Sequence, residues 1–323
     1  MRDFLGLLAF LGALMAGAAF PVSAAITDYP FRLVTQAQGS EQELVAENDG
    51  PAPISVYVTL TGENFASDRV WPATVMVPPY TALALGRVFS ADRAAGGFNF
   101  LFRYSHHFGR VDAVHDPAAA YRLPFLEGQS FAVTQAYGGR LTSHNNRENL
   151  YAIDFAMPVG TPIVAARGGT VIDSTVRHQE GGFDLRFLDH ANTVAIAHDD
   201  GTVAEYAHLS PGAEVVKSGQ RVAAGDLIGH SGNTGYTSGP HLHFIVSKPS
   251  VADGKVTRQS VPISFYAGDL ATRFSAQSGA TLTANYNNRS APALQQPQQA
   301  RQEPGTATGT SQSQQPASQT VWH

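Results

Sequence analysis

The sequence contains no cysteine. That absence excludes a disulfide framework, a thiolate metal site, a cysteine nucleophile and a lipid anchor on an amino-terminal cysteine. Any metal must therefore sit on histidines and carboxylates. Charge is also scarce, at 15% of 323 residues. The 21 Lys and Arg stand against 26 Asp and Glu for a net charge of -5, so no basic excess exists to track phosphates and nucleic acid is not an expected partner. Helical periodicity is nearly missing between the two ends. Beyond residue 27 no uncharged apolar run is long enough to span a bilayer, so no membrane span is expected in the mature protein. What the sequence does have is 43% hydrophobic residues, enough for one sizeable core or two, and 12 histidines, eight of them between residues 120 and 265. That clustering is the first hint of chemistry.

The two ends differ from the rest. From Phe4 to Thr27 there is no charge, and the run FLGLLAFLGALMAGAAFPVSAA closes on small residues, with Val22, Ser23 and Ala24 placed as a signal peptidase requires. We expect a secretory signal over residues 1–24, cleaved after Ala24, and a mature protein exported to the periplasm or cell envelope. A retained anchor is the alternative, against which Gly6, Gly12, Gly17 and Pro21 argue. Residues 285–323 hold nine Gln among Pro, Ser, Thr, Ala and Gly. This composition predicts a disordered tail, either a plain solvated extension or a tether to the cell wall or a divisome protein.

The fold expected between the ends is all-β. Residues 25–120 read as short strands broken by turn clusters: ELVAEN, ISVYVTL, PATVMVP, TALALGRVF and GFNFLFRYS. Val56, Val58 and Leu60 alternate with Tyr57 and Thr59, the mark of half-buried strands, and a small β-sandwich-like domain follows. His106 and His107 are adjacent on a strand and so face opposite ways, which suits a structural or surface role better than a shared metal. Asp116-Pro117 and the alanines after it mark a boundary near residue 120. Residues 121–265 are again β, with Gly and Pro every few residues, and His198-Asp199-Asp200-Gly201 suits a hairpin turn between TVAIA and TVAEYA. Residues 266–284 are expected to be a linker.

Within 121–265 a few residues carry chemistry. His241 and His243 lie two apart in Pro240-His241-Leu242-His243-Phe244, so on a strand both imidazoles share one face while Leu242 and Phe244 take the other. In Tyr151-Ala152-Ile153-Asp154-Phe155-Ala156, Asp154 falls on the face of the small alanines, opposite Tyr151, Ile153 and Phe155. His208 ends a strand just before the Pro211-Gly212 turn. A zinc hydrolase needs three protein ligands and an open fourth position, which histidines and one aspartate can supply. Each of these residues alone is more simply a hydrogen-bonded structural side chain; the combination reverses that.

The combination resembles the lysostaphin-type (LytM-like) zinc metallopeptidases, which cut peptide cross-links of bacterial peptidoglycan. The resemblance runs over residues 131 to 247, through YAIDFAMPVGTPIVAARGGTV and then NTVAIAHDDGTVAEYAHLSPGAEVVKSGQRVAAGDLIGHSGNTGYTSGPHLHF. It implies a LytM-like antiparallel sheet, Zn2+ as cofactor, peptidoglycan peptide stems as substrate, Asp154 and His243 as zinc ligands, and His208 and His241 as non-ligand catalytic histidines. The sequence departs from the family at one point. The usual first ligand is a His four residues before the Asp, where this chain has Leu150. The nearest upstream histidine is His144, in the polar run Ser143 to Asn149, and we assign it as the third ligand on a longer loop. The same resemblance admits a catalytically degenerate domain that binds and activates another wall hydrolase. GQRVAAGDLIGHSG also resembles the hairpin of lipoyl and biotinyl carriers, but no Lys occupies the turn between Ala224 and Gly232. His178, His190, His198 and His230 are expected in loops, at a hairpin end or on the rim, and Tyr236 in loop packing rather than lining the groove.

Overall fold

The computed structural model describes residues 29–139, 142–212, 214–268 and 273–286. All of these lie in one unit, Met1–Ala291; the second, Pro292–His323, falls outside them, as do the expected signal at 1–24 and most of the expected tail. Among the described residues the structure is strands and turns with two short 3-10 segments, Arg93–Ala95 and Leu185–Phe187. No helix among them is long and apolar enough to cross a membrane.

The amino-terminal half forms two facing sheets. One runs in the order Phe31–Gln38, Glu41–Asn48, Thr81–Ser90 and Phe65–Ser67, the other Ala73–Val77, Ile54–Glu63 and Asn99–Phe108. The alternation read from the sequence sets the packing. Val56 and Val58 are fully buried with Leu33, Leu44, Ala46, Val77, Leu85 and Phe102, and Leu60 lies half-buried against them. Each such aliphatic side chain contributes about 1.5–3 kcal/mol on burial.

The second half is organised by a nine-stranded sheet. Its main path runs Arg221–Val222, Gly169–Thr175, Thr193–Ala197, Val203–Ala207, His241–Ala252, Ile153–Ala156, Ser130–Gln135 and Thr281–Thr283, all antiparallel. Strand Lys255–Ser260 pairs with the outer half of the long His241–Ala252 strand. Strand periodicity divides the side chains between two faces. Ala204, Tyr206, Leu242, Phe244 and Phe155 enter the core on one of them. On the other, Val203, Glu205 and Ala207 follow one another along a single strand.

This second face is shared. At its Val203 end the sandwich packs on it, placing Tyr29, Ala52, Ile54 and Phe108 against Ala195 and Val203. Lys248 Nζ donates to the Ala113 carbonyl at 2.6 Å and Val256 N donates to Ser105 Oγ at 2.8 Å. The approach is close enough to require glycine: Gly109 has φ +92, and a Cβ there would lie 2.8 Å from the Gly201 carbonyl and 3.1 Å from Pro249 Cδ. At its Ala207 end the same face is open and carries the histidine cluster.

Two expectations are corrected. Residues 266–284 are not a linker, because Arg273–Phe274 pairs with Ser264–Tyr266, and Thr281–Thr283 forms the edge of the main sheet beside Ser130–Gln135. The tail does not begin at 285 either. Tyr286 is buried, its hydroxyl accepts from Leu123 N at 2.8 Å, and Arg122 lies 4.1 Å from its ring centroid. These strands are two and three residues long, too short for periodicity to show.

The hairpin at His198 forms as expected, with His198 N donating to Thr202 O and Gly201 at φ +83. His198 Nδ1 donates to the Gly168 carbonyl at 2.9 Å, and Nε2 is buried with no partner among the described residues. Burial pushes its pKa down to about 4, and burial does the same to His106 and His107. Such a group is neutral in the folded protein and charged when unfolded, so its stabilisation is complete above pH 6.5 and is lost as pH falls from 6.5 toward 4. For the 4% exposed His198 this is about 1 kcal/mol at pH 5.5. The thermal unfolding midpoint is expected to drop between pH 7 and pH 5. In His198→Asn, which keeps a donor for Gly168 but does not titrate, the drop is shallower.

Candidate metal centre and cleft

Cross-strand register builds the site. Asp154 pairs directly with His243, and His243 pairs on its other side with Ala207, so three strands present one row on the open face. His241 lies two residues further along the same face. His208 follows Ala207 and breaks from the strand with φ +62, a left-handed backbone that costs a non-glycine residue about 1–2 kcal/mol. Its ring lies 4.5 Å from that of His241 and 6.0 Å from that of His243, centroid to centroid. Strain of this kind is found where a side chain must be held in place for a task.

His144 arrives from the loop before Asp154. Its Nδ1 is 3.1 Å from the Ala152 carbonyl, and its Nε2 is 3.4 Å from Asp154 Oδ2. His243 Nδ1 is 2.9 Å from Asp154 Oδ1. The three residues present one donor atom each, all within 4.8 Å of one another, so the His144, Asp154 and His243 of the sequence reading do come together. Both His144 and Asp154 are buried, the latter 2% exposed. Burial alone would raise the Asp154 carboxyl, but contacts from His144 and His243 outweigh it and hold the group well below the usual carboxylate range.

This donor set fits a divalent metal on chemical grounds. The Ala152 carbonyl can only accept, which places the His144 proton on Nδ1 and leaves an Nε2 lone pair facing a carboxylate oxygen. Two acceptors at that distance call for positive charge between them. A proton on Nε2 would supply it to one contact, whereas a cation such as zinc satisfies two imidazoles and a carboxylate together and keeps a fourth position free.

His208 and His241 are held differently. His208 Nδ1 donates to the Thr234 carbonyl at 2.7 Å, and His241 Nδ1 donates to the Gly239 carbonyl at 2.8 Å. That leaves Nε2 of each ring as the nitrogen available to the cleft. Burial, followed by the neighbouring His241 and His243, pushes His208 down to about 3. Its resting state is the neutral base.

The cleft measures about 450 Å3, and its walls include all five residues. Tyr236 lines it too, with its ring 5.0 Å from that of Phe183, which is 77% exposed on the rim; the sequence had suggested only loop packing. The other histidines lie elsewhere. His178 and His190 contact each other at 5.0 Å, His230 ends a strand paired with Pro162, and His106 packs on Phe31. Tyr151 stands just outside its expected strand and contacts Tyr137.

Three supporting residues went unread in the sequence. Gln135 Nε2 donates to Asp154 Oδ2 at 2.8 Å while its Oε1 accepts from Ser143 N at 2.7 Å, tying the aspartate to the His144 loop. Asn192, fully buried, donates to the carbonyls of His178 and Leu209, and its backbone N donates to Thr234 Oγ1. Thr234 Oγ1 also donates to Leu209 O, so Asn192 and Thr234 fix the turn just after His208. Only the Asn-Thr step at the head of a strand signalled any of this.

Comparison with known proteins places a domain on this geometry. Residues 148–259 match peptidase family M23, a span that begins four residues after His144. An uncharacterized metalloprotease of Buchnera aphidicola is 31% identical over 147 residues, 45% of this chain and 35% of that protein. The glycyl-glycine endopeptidase ALE-1 of Staphylococcus capitis is 40% identical over 100 residues, 31% of this chain and 25% of that one. The peptidoglycan DD-endopeptidase ShyA of Vibrio cholerae is 40% identical over 105 residues, 32% and 20% of the respective chains. This chain thus spans between a fifth and about a third of these curated relatives. Among solved structures, the catalytic domain of lysostaphin from Staphylococcus simulans aligns at 28% identity over 40% of this chain and 88% of that domain, with a TM-score of 0.29. A peptidase M23 domain therefore spans residues 148–259 of this chain.

Proposed function

We propose that this protein is a zinc-dependent endopeptidase that hydrolyses amide bonds in the peptide cross-links of peptidoglycan. The observation that carries this is the meeting, in one solvent-open cleft, of a two-histidine, one-carboxylate donor set with two imidazoles whose Nε2 atoms are free to take a proton. His144, Asp154 and His243 would hold the metal. Zinc bound there supplies a Lewis acid that brings the pKa of water toward ~7 and polarises a scissile carbonyl.

The chain's own residues do the rest. One of His208 and His241 accepts a proton from the attacking water at Nε2, while Thr234 or Gly239 holds its Nδ1–H and keeps the ring aimed. The proton is then handed to the departing amine nitrogen, either from the same ring or from its neighbour. Two imidazolium rings 4.5 Å apart would repel, so the pair carries one proton at a time. Phe183 and Tyr236 offer apolar surface beside the reacting bond. Export through the uncharged Phe4–Thr27 segment would bring the enzyme to its polymer.

The test is digestion of purified sacculi by metal-loaded protein, with and without a chelator. Released peptides that disappear with chelator and return with zinc are expected. Protein that holds no zinc, releases nothing and yet stimulates a second wall hydrolase would replace this reading with the non-enzymatic activator.

A further inference from the structure

The ligand loop is anchored by more than Gln135. Arg258, on strand Lys255–Ser260, is 4% exposed. Its Nη1 donates to Glu205 Oε2 at 3.0 Å and its Nη2 donates to Asn149 Oδ1 at 2.8 Å. From Asn149 a chain of hydrogen bonds reaches the metal site: Ala152 N donates to the Asn149 carbonyl at 2.8 Å, and His144 Nδ1 donates to the Ala152 carbonyl at 3.1 Å. Ser260 adds a second grip, its Oγ donating to the Arg147 carbonyl at 2.9 Å and accepting from Tyr151 N at 3.3 Å. The other end of the same strand is held by the sandwich domain, through Ser105 Oγ and Val256 N.

We propose that Arg258 is a positioning residue for the metal site, fixing His144 through Asn149 and Ala152, with the sandwich domain as its backstop. A His four residues before Asp154 would sit in the turn that leads directly into the strand, whereas a histidine ten residues upstream lies further along the loop and needs an external support. Glu205 and Arg258 also line the cleft, but stability does not explain the pair. Burying two charges costs desolvation that a matched apolar pair avoids, so stability alone does not call for them. Outer contacts that orient a metal-ligating histidine, by contrast, typically set about 10–100-fold in metal affinity.

The inference rests on His144 being a ligand, and the experiment separates the two claims. Zinc affinity is measured by competition with a chromophoric chelator for the full chain, Asn149→Ala, Asn149→Asp, His144→Ala and the double variant Arg258→Met/Glu205→Gln, which avoids stranding Glu205. Each variant's unfolding midpoint is recorded alongside. Asn149→Ala and the double variant are expected to bind zinc tenfold or more weakly with midpoints near that of the parent, and Asn149→Asp, which keeps the acceptor for Arg258, to stay within about threefold. Parental affinity in either Asn149→Ala or the double variant overturns the proposal. If His144→Ala also keeps parental affinity, the ligand set falls with it; if His144→Ala alone loses zinc, the ligand set stands and only the role of Arg258 is lost.

Discussion

His144→Ala is expected to lose both its zinc and its hydrolytic activity. A four-position zinc site is worth roughly 10–16 kcal/mol, so an even share per position is about 3 kcal/mol, more than a hundredfold in affinity. The loss falls on a site where contacts from two imidazoles hold the buried Asp154 carboxyl below the usual carboxylate range, so removing one also raises the cost of the remaining charge. His107→Ala and His198→Ala are the controls. His107 Nδ1 contacts the Phe108 carbonyl and His198 Nδ1 the Gly168 carbonyl; both variants should keep the metal. Zinc content by atomic absorption, read beside peptide release, decides the matter. Stoichiometric zinc in His144→Ala would remove the loop histidine from the ligand set.

The second large effect separates chemistry from metal binding. Replacing His208 or His241 is expected to lower turnover about 10²- to 10⁴-fold, the range of a lost proton-transfer group, while zinc stays near one per chain. Both Nδ1 atoms are committed to backbone carbonyls, and neither residue belongs to the group whose donor atoms converge. For His208 the replacement matters, because its φ of +62 disfavours most side chains. Asn tolerates that backbone better than Ala, so His208→Asn removes the imidazole with less structural cost. Loss of zinc from His208→Asn would show that this histidine supports the metal.

How far the sequence could be read depended on the range of the interaction. The pairing of His241 with His243 was legible because a strand's period of two is local, and so was the face of Asp154 among alanines. That Asp154 and His243 would sit opposite each other was not local at all, and came only from resemblance. His144 could be named as the nearest upstream histidine, but its aim depends on a carbonyl at Ala152 and a glutamine on another strand. Gln135, Asn192, Thr234 and Arg258 act through partners up to 109 residues away, and polar residues in loops and strands carry no mark of that. The stretch after 266 was misread for a related reason: Thr281–Thr283 is held by pairing to Ser130–Gln135 and not by any apolar pattern of its own.

The sandwich domain's seat on the open face limits the footprint of a bound polymer. Val203 lies under that domain while Glu205 and Ala207, on the same strand face, line the cleft. An extended peptide advances ~3.3 Å per residue, so one laid parallel to these strands meets the sandwich about two subsites beyond Glu205. On that side the cleft has room only for a short stub, and a longer stem must rise out of the cleft or run across the strands. Selectivity for that side of the cleaved bond would then come from what fits against a wall, and lengthening the substrate there would add no affinity.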